Sequence, residues 1–116
     1  MGEYVMDIIR RANAVEIPVS GKLDMETARK LEQGFENLLG KISDDVIGIN
    51  MANLKFLDSS GLSILMKITS KANEVSKKIY FISLSPTILS VMKVARLDNI
   101  LDFMSDEEFN SKYPLL

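Results

Sequence analysis

The chain has 116 residues, 47% of them hydrophobic, with 14 basic against 16 acidic side chains and a formal charge of −2; this length suits one domain over 1–116, and the balanced charge argues against a nucleic-acid partner, which would call for a basic face. There is no histidine and no cysteine, which excludes imidazole-dependent Ser-His-Asp and Cys-His catalysis, His/Cys zinc sites and disulfides. No stretch approaches the roughly 20 consecutive apolar residues of a spanning helix, and Asp7, Arg10, Arg11 and Glu16 interrupt the opening segment, so a cytoplasmic protein with no membrane partner is expected.

In chain order, Tyr4 to Ile9 and Ala14 to Val19 are short β-prone runs separated by a polar turn around Arg11 and Asn13. They are expected to pair as a hairpin, with Pro18 at a strand end. Gly21-Lys22-Leu23-Asp24 breaks the pattern. A helix is predicted from Met25 to Gly40, because Ala28, Leu31, Phe35, Leu38 and Leu39 fall on one face of a 3.6-residue period. Asp24 is its natural N-cap, with Thr27 standing where a full capping box has Glu, and Gly40 is the stop signal.

Val46 to Met51, VIGINM, is short, apolar and β-branched, as in a strand covered on both faces. Asn53 to Leu57 is read as a connection. The next helix is placed from Ser60 to Ser76, with Leu62, Leu65, Met66, Thr69, Ala72 and Val75 inward. Lys67, Lys71, Lys77 and Lys78 are read as a solvated face, the alternative being a partner-facing patch.

Ile79 to Leu84 is a further buried-type strand. Pro86 suits the first turn of a helix to Ala95, with Ile88, Leu89, Met92 and Ala95 inward. A last short strand is expected over Asn99 to Met104, and SDEEF at 105–109 as the start of a terminal helix. Met51, Met66 and Met92 are taken as core residues. The order β-β-α-β-α-β-α, with a weak final β and α, predicts an α/β fold whose sheet is mixed because the opening hairpin joins parallel crossover units.

One turn stands apart. FLDSSGLSI at 56–64 passes from a strand-like run through Asp58, Ser59, Ser60 and Gly61 directly into a helical pattern. The simple reading is a cap, worth about 1 kcal/mol, with Gly61 there for close packing. The functional reading is a regulatory hydroxyl at a helix N-terminus, where unpaired backbone N–H groups and the helix dipole favour negative charge. A phosphate there adds about −1.5 to −2 charge and changes the outward surface without unfolding the domain. Asp58 repels such a phosphate, and its alternative uses are to orient the hydroxyl or to meet a kinase-bound metal. A phosphate-accepting Asp58 of the response-regulator type lacks its acidic cluster, since Arg10 and Arg11 follow the first strand, and ISLSP lacks the required late Lys. A serine hydrolase lacks both the G-x-S-x-G elbow and a histidine.

LKFLDSSGLSIL at 54–65, preceded in register by VSGKLDMETA at 19–28 and followed by SPTILSVMKVARLDNIL, resembles the STAS domain of bacterial anti-sigma factor antagonists. The resemblance implies a mixed four- to five-stranded sheet with helices packed mainly on one face. It also implies a switch protein rather than an enzyme, with no catalytic residue, cofactor or metal. Unphosphorylated, such a protein binds an anti-sigma factor that is a serine kinase of the histidine-kinase-like ATPase fold. Phosphorylation breaks the complex and a PP2C-type phosphatase restores it.

The acceptor serine of that family maps to Ser59. Asp24 matches the Asp of the first loop, Asp58 precedes the acceptor, and Ser60 is expected as a cap or supporting hydroxyl. Gly61 and Leu62 complete the docking surface; an exposed apolar patch beside Ser59, including Leu62 and Met25, would favour partner docking. STAS domains also serve as scaffold modules of stress-sensing complexes, as subunits of lipid-transport ATPases and as tails of anion transporters. This chain departs from the family pattern at Lys22, where Glu is common, and in ARLDNI, where a Gly-Leu turn is usual; Asp98 or Asn99 is expected to take that turn.

Overall fold

The structure, a computed structural model, describes residues 7–116. Strands β1 (Ile9–Arg11), β2 (Ala14–Pro18) and β3 (Gly21–Leu23) lead into helix α1 (Met25–Leu39). Then come β4 (Val46–Asn50), β5 (Leu54–Leu57), α2 (Ser59–Glu74), β6 (Lys78–Ile82), α3 (Pro86–Val94), a 3₁₀ turn (Leu97–Asn99) and α4 (Asp106–Lys112). The main sheet has the order β1-β2-β4-β6; β1 is antiparallel to β2 and the remaining neighbours are parallel. The predicted hairpin forms, but its first strand begins at Ile9; the part of that prediction over residues 4–6 lies outside the described residues. Its two-residue turn places Asn13 at φ 63°, a conformation that asparagine tolerates.

Alternation along the strands assigns the two faces. Val15, Ile17, Ile47, Ile49, Ile79 and Phe81 join the buried faces of α1, α2 and α3 in the main core. Gly48, between Ile47 and Ile49, points to the other side, where Phe109 of α4 lies against it; a Cβ at Gly48 would stand 2.8 Å from the ring's Cε1. The helices therefore lie mainly, though not entirely, on one face.

A second sheet was not expected. β3 and β5 pair in parallel, Leu23 opposite Leu57, in the stretches read as a pattern break and a connection. The cause is continuity: β2 and β4 are already neighbours, and the bonds from Val19 N–H to the Asn50 carbonyl and from Gly21 N–H to the Asn53 carbonyl carry the pairing past the ends of the main strands.

Other expectations change in detail. α2 starts at Ser59 and buries Gly61, Ile64, Leu65, Ile68 and Ala72; Leu62 and Thr69 are half-buried, and Met66 and Val75 are exposed. Contact between Gly61 and β3 fixes the helix's rotation, and the i, i+3, i+4, i+7, i+11 series counted from Gly61 then faces inward. Ala95 is exposed because α3 ends at Val94, leaving it as the C-cap. The expected strand over 99–104 reduces to a single bridge between Phe103 and Phe81, since buried Leu97 and Leu101 hold the preceding chain in tight turns. The left-handed residue of that region is Arg96, at φ 61°, not Asp98 or Asn99.

Candidate functional site

The paired strands β3 and β5 end side by side, and each runs straight into a helix. Because Leu23 and Leu57 are register partners, the next residues, Asp24 and Asp58, are brought together as the caps of neighbouring helices. Asp58 has extended backbone, and its Oδ1 accepts the Gly61 N–H at 3.0 Å. Its carbonyl accepts the Leu62 N–H at 2.9 Å, the first helical bond of α2. The cap of α2 is thus Asp58 rather than Ser60.

Asp24 forms a reciprocal box with Thr27. Its Oδ1 accepts the Thr27 N–H at 3.1 Å, and the Thr27 Oγ1 accepts the Asp24 N–H at 2.8 Å. Threonine therefore completes the box without glutamate. The Thr27 hydroxyl also donates to the Lys22 carbonyl at 2.7 Å, tying α1 back to β3. The hydrogen bond from the Thr27 N–H, reinforced by the hydroxyl, holds the Asp24 carboxyl below the ordinary carboxylate range.

Gly61 permits the close approach on which this arrangement depends. A Cβ there would run into the Leu23 carbonyl oxygen and stand 2.6 Å from Leu57 Cδ1. The Asp58 N–H points to the same Leu23 carbonyl at 3.4 Å. The turn is thereby seated on the end of β3.

Ser59, the first residue of α2, is exposed. Ser60 is half-buried and lines a groove between α1 and α2 with Arg29, Glu32 and Lys67. Leu62 packs its half-buried side chain against the core. Around the turn, Met25 is 62% exposed and Phe56 47%. Of the two residues named for an apolar patch, Met25 is exposed and Leu62 half-buried; Phe56 was missed because its segment was read as a connection.

The lysines of α2 are paired across to α1: exposed Lys67 with Glu32 at 3.2 Å and half-buried Lys71 with Glu36 at 2.6 Å. Lys77 donates to the Asp44 carbonyl and Lys78 pairs with Asp102. Among the described residues no group of three or more acidic side chains is placed to hold a metal ion, and no helix is long and apolar enough to cross a membrane.

Glu16 is a polar feature that the sequence did not disclose. It is 3% exposed on the α4 face of the sheet and bound by Arg11 Nε and Asn50 Nδ2, each at 2.7 Å. Arg11 also donates to the Tyr113 carbonyl at 2.8 Å and lies over the Phe109 ring, 5.1 Å from its centroid. The β5–α2 turn itself presents an exposed hydroxyl, that of Ser59, at a capped helix start.

Comparison with known proteins places this architecture. A family model described as "Mlab, STAS domain" matches residues 6–102. An anti-sigma-B factor antagonist of Staphylococcus epidermidis is 25% identical over 96 residues, covering 83% of this chain and 88% of that protein. Among solved structures, the anti-sigma factor antagonist SpoIIAA in its unphosphorylated form superposes with a TM-score of 0.73 at 20% identity over 92% of both chains. An anti-sigma factor antagonist from Mycobacterium paratuberculosis gives 0.73 at 23% identity, over 84% of this chain and 82% of that one. At these identities the superpositions speak for the fold.

Proposed function

The chain belongs to the STAS-domain family, and from that premise we propose that it is an anti-sigma factor antagonist switched by phosphorylation of Ser59. In its unphosphorylated form it binds an anti-sigma factor serine kinase of the histidine-kinase-like ATPase fold, freeing the sigma factor for transcription. Phosphorylation releases the kinase, and a PP2C-type phosphatase resets the protein.

The observation that carries this reading is the position of Ser59: exposed, first in α2, and flanked by a carboxylate already engaged as the cap. Its hydroxyl is open to a kinase while the cap, Gly61 and the strand ends hold the turn in one geometry. The names of the relatives, anti-sigma-B factor antagonist among them, support the same reading. Met25 and Phe56 supply exposed apolar contact area near the turn, and Asp24 caps the neighbouring helix one residue beyond Leu23, the register partner of Leu57.

A dianionic group appearing inside such an interface loses water without gaining a partner, at a cost of several kcal/mol. A loss of about 3–4 kcal/mol weakens binding some hundredfold or more.

The test is a side-by-side capture from native lysate on immobilised Ser59→Ala and Ser59→Asp chains, with bound proteins identified by mass spectrometry. The alanine form is expected to retain an ATP-binding serine kinase that the aspartate form loses. Equal retention by both forms, or capture of a transport ATPase instead, overturns the assignment.

A further inference from the structure

A cavity of about 240 Å³ lies between the β2–β3 connection and α1. Its floor is made of core side chains, Ile17, Leu23 and Leu31, and two exposed lysines, Lys22 and Lys30, stand among its lining. Lys22 has no carboxylate partner within 4 Å among the described residues. Among the described residues Lys30 reaches only the exposed Glu26, at 3.8 Å. Among the described residues Asp7 is the one carboxylate in the lining, against the two lysines.

An apolar floor under an excess of ammonium groups suits a molecule with one anionic end and a short hydrocarbon body. The volume falls just below the roughly 300–1,000 Å³ of drug-sized sites and is far too small for a two-chain lipid. We infer that this cavity binds a small amphiphilic anion, a carboxylate with a short acyl or aryl group, whose charge is taken by Lys22 and Lys30.

The site is joined to the β5–α2 turn by bonds already described. Lys22 offers its carbonyl to the Thr27 hydroxyl, and the Leu23 carbonyl receives the Asp58 N–H and abuts Gly61. An occupant touching Lys22, Leu23 and Thr27 therefore bears on the residues that seat Ser59. This coupling rests on the switch reading above; the binding does not.

The experiment is a ¹H–¹⁵N NMR titration of the full chain with sodium octanoate, with 1-octanol as the uncharged control and no kinase present. Saturable shifts at residues 17–31 are expected with octanoate and not with octanol. Lys22→Glu and Lys30→Glu should each weaken binding about tenfold or more, as expected when a charge-assisted contact becomes repulsive, while Lys22→Arg retains it. Both lysines are exposed, and a dispersed spectrum verifies that each variant is folded. Unsaturable shifts, equal binding of octanol, or unchanged affinity in folded Lys→Glu variants overturns the inference. Failure here leaves the Ser59 capture result untouched, and failure of that capture leaves the titration untouched.

Discussion

Gly61 and Glu16 show two ways in which one side chain constrains this molecule. Gly61→Ala directs a methyl group at the Leu23 carbonyl oxygen and the Leu57 side chain. Leu57 can rotate away, but the backbone oxygen cannot move without breaking the β3–β5 register. A loss of about 1–3 kcal/mol is expected in urea unfolding with an unchanged m-value; wild-type stability would mean that α2 does not bear on β3. Glu16→Ala leaves the Arg11 guanidinium, with only 10% of its side chain exposed, without its counterion. That costs about 3–5 kcal/mol, and an apolar replacement of both partners should recover much of it in the same assay. These two residues differ in how legible they are. Gly61 lies in a motif whose parts are contiguous, so packing was readable from DSSG. The bonds to Glu16 come from residues 5 and 34 positions away, and no local pattern announces them. Arg96 escaped for a related reason: its left-handed backbone, one residue before buried Leu97, runs against arginine's own preference, so no local pattern announces it.

At the scale of elements, both helices that open at the site depend on aspartate caps, and the two aspartates separate cap geometry from charge. Asp58→Ala removes the acceptor for the Gly61 N–H and should cost about 1 kcal/mol by thermal or urea unfolding. Asp24→Asn keeps a competent cap and deletes the ionisation. The folded-state pKa of Asp24 is lowered from its ordinary 3.8 by the Thr27 bonds. Its charge therefore stabilises the fold at pH values above 3.8, and that contribution is lost as pH falls below 3.8 through the folded value. The stability difference between wild type and Asp24→Asn should be flat near neutrality and shrink in acid; a gap that widens in acid would show that another group governs this limb. Helices were the most legible elements, because caps and apolar periods are local. The β3–β5 sheet was the least, since three- and four-residue strands carry too few side chains for an alternating pattern and take their pairing from the neighbouring β2 and β4.

The whole molecule has two unequal apolar layers, and the smaller is closed by a single helix. Phe109 is fully buried, fits the absence of a side chain at Gly48, and packs with Tyr113 and Arg11. Phe109→Ala should cost about 3–5 kcal/mol, enough to consume much of the stability of a typical domain. Protection against amide exchange should fall first along β1 and β2; unchanged protection there would mean that the sheet holds without α4. The α/β order and the main core were readable because long helices alternate with apolar strands, whereas nothing in DEEFNSK says which face of the sheet it covers. The same closure has a temporal side. The backbone bond from the Ala12 N–H to the Pro114 carbonyl and the bridge between Arg11 and Leu115 join segments about a hundred residues apart in the chain. During synthesis β1 and β2 leave the ribosome while their cover is still untranslated, so the sheet waits with one face bare. Contacts of such long sequence separation form late. Until residues 106–115 emerge, the nascent chain presents a hydroxyl on a helix whose supporting sheet is unfinished, and the arrival of α4 becomes the step after which a partner first meets the completed surface.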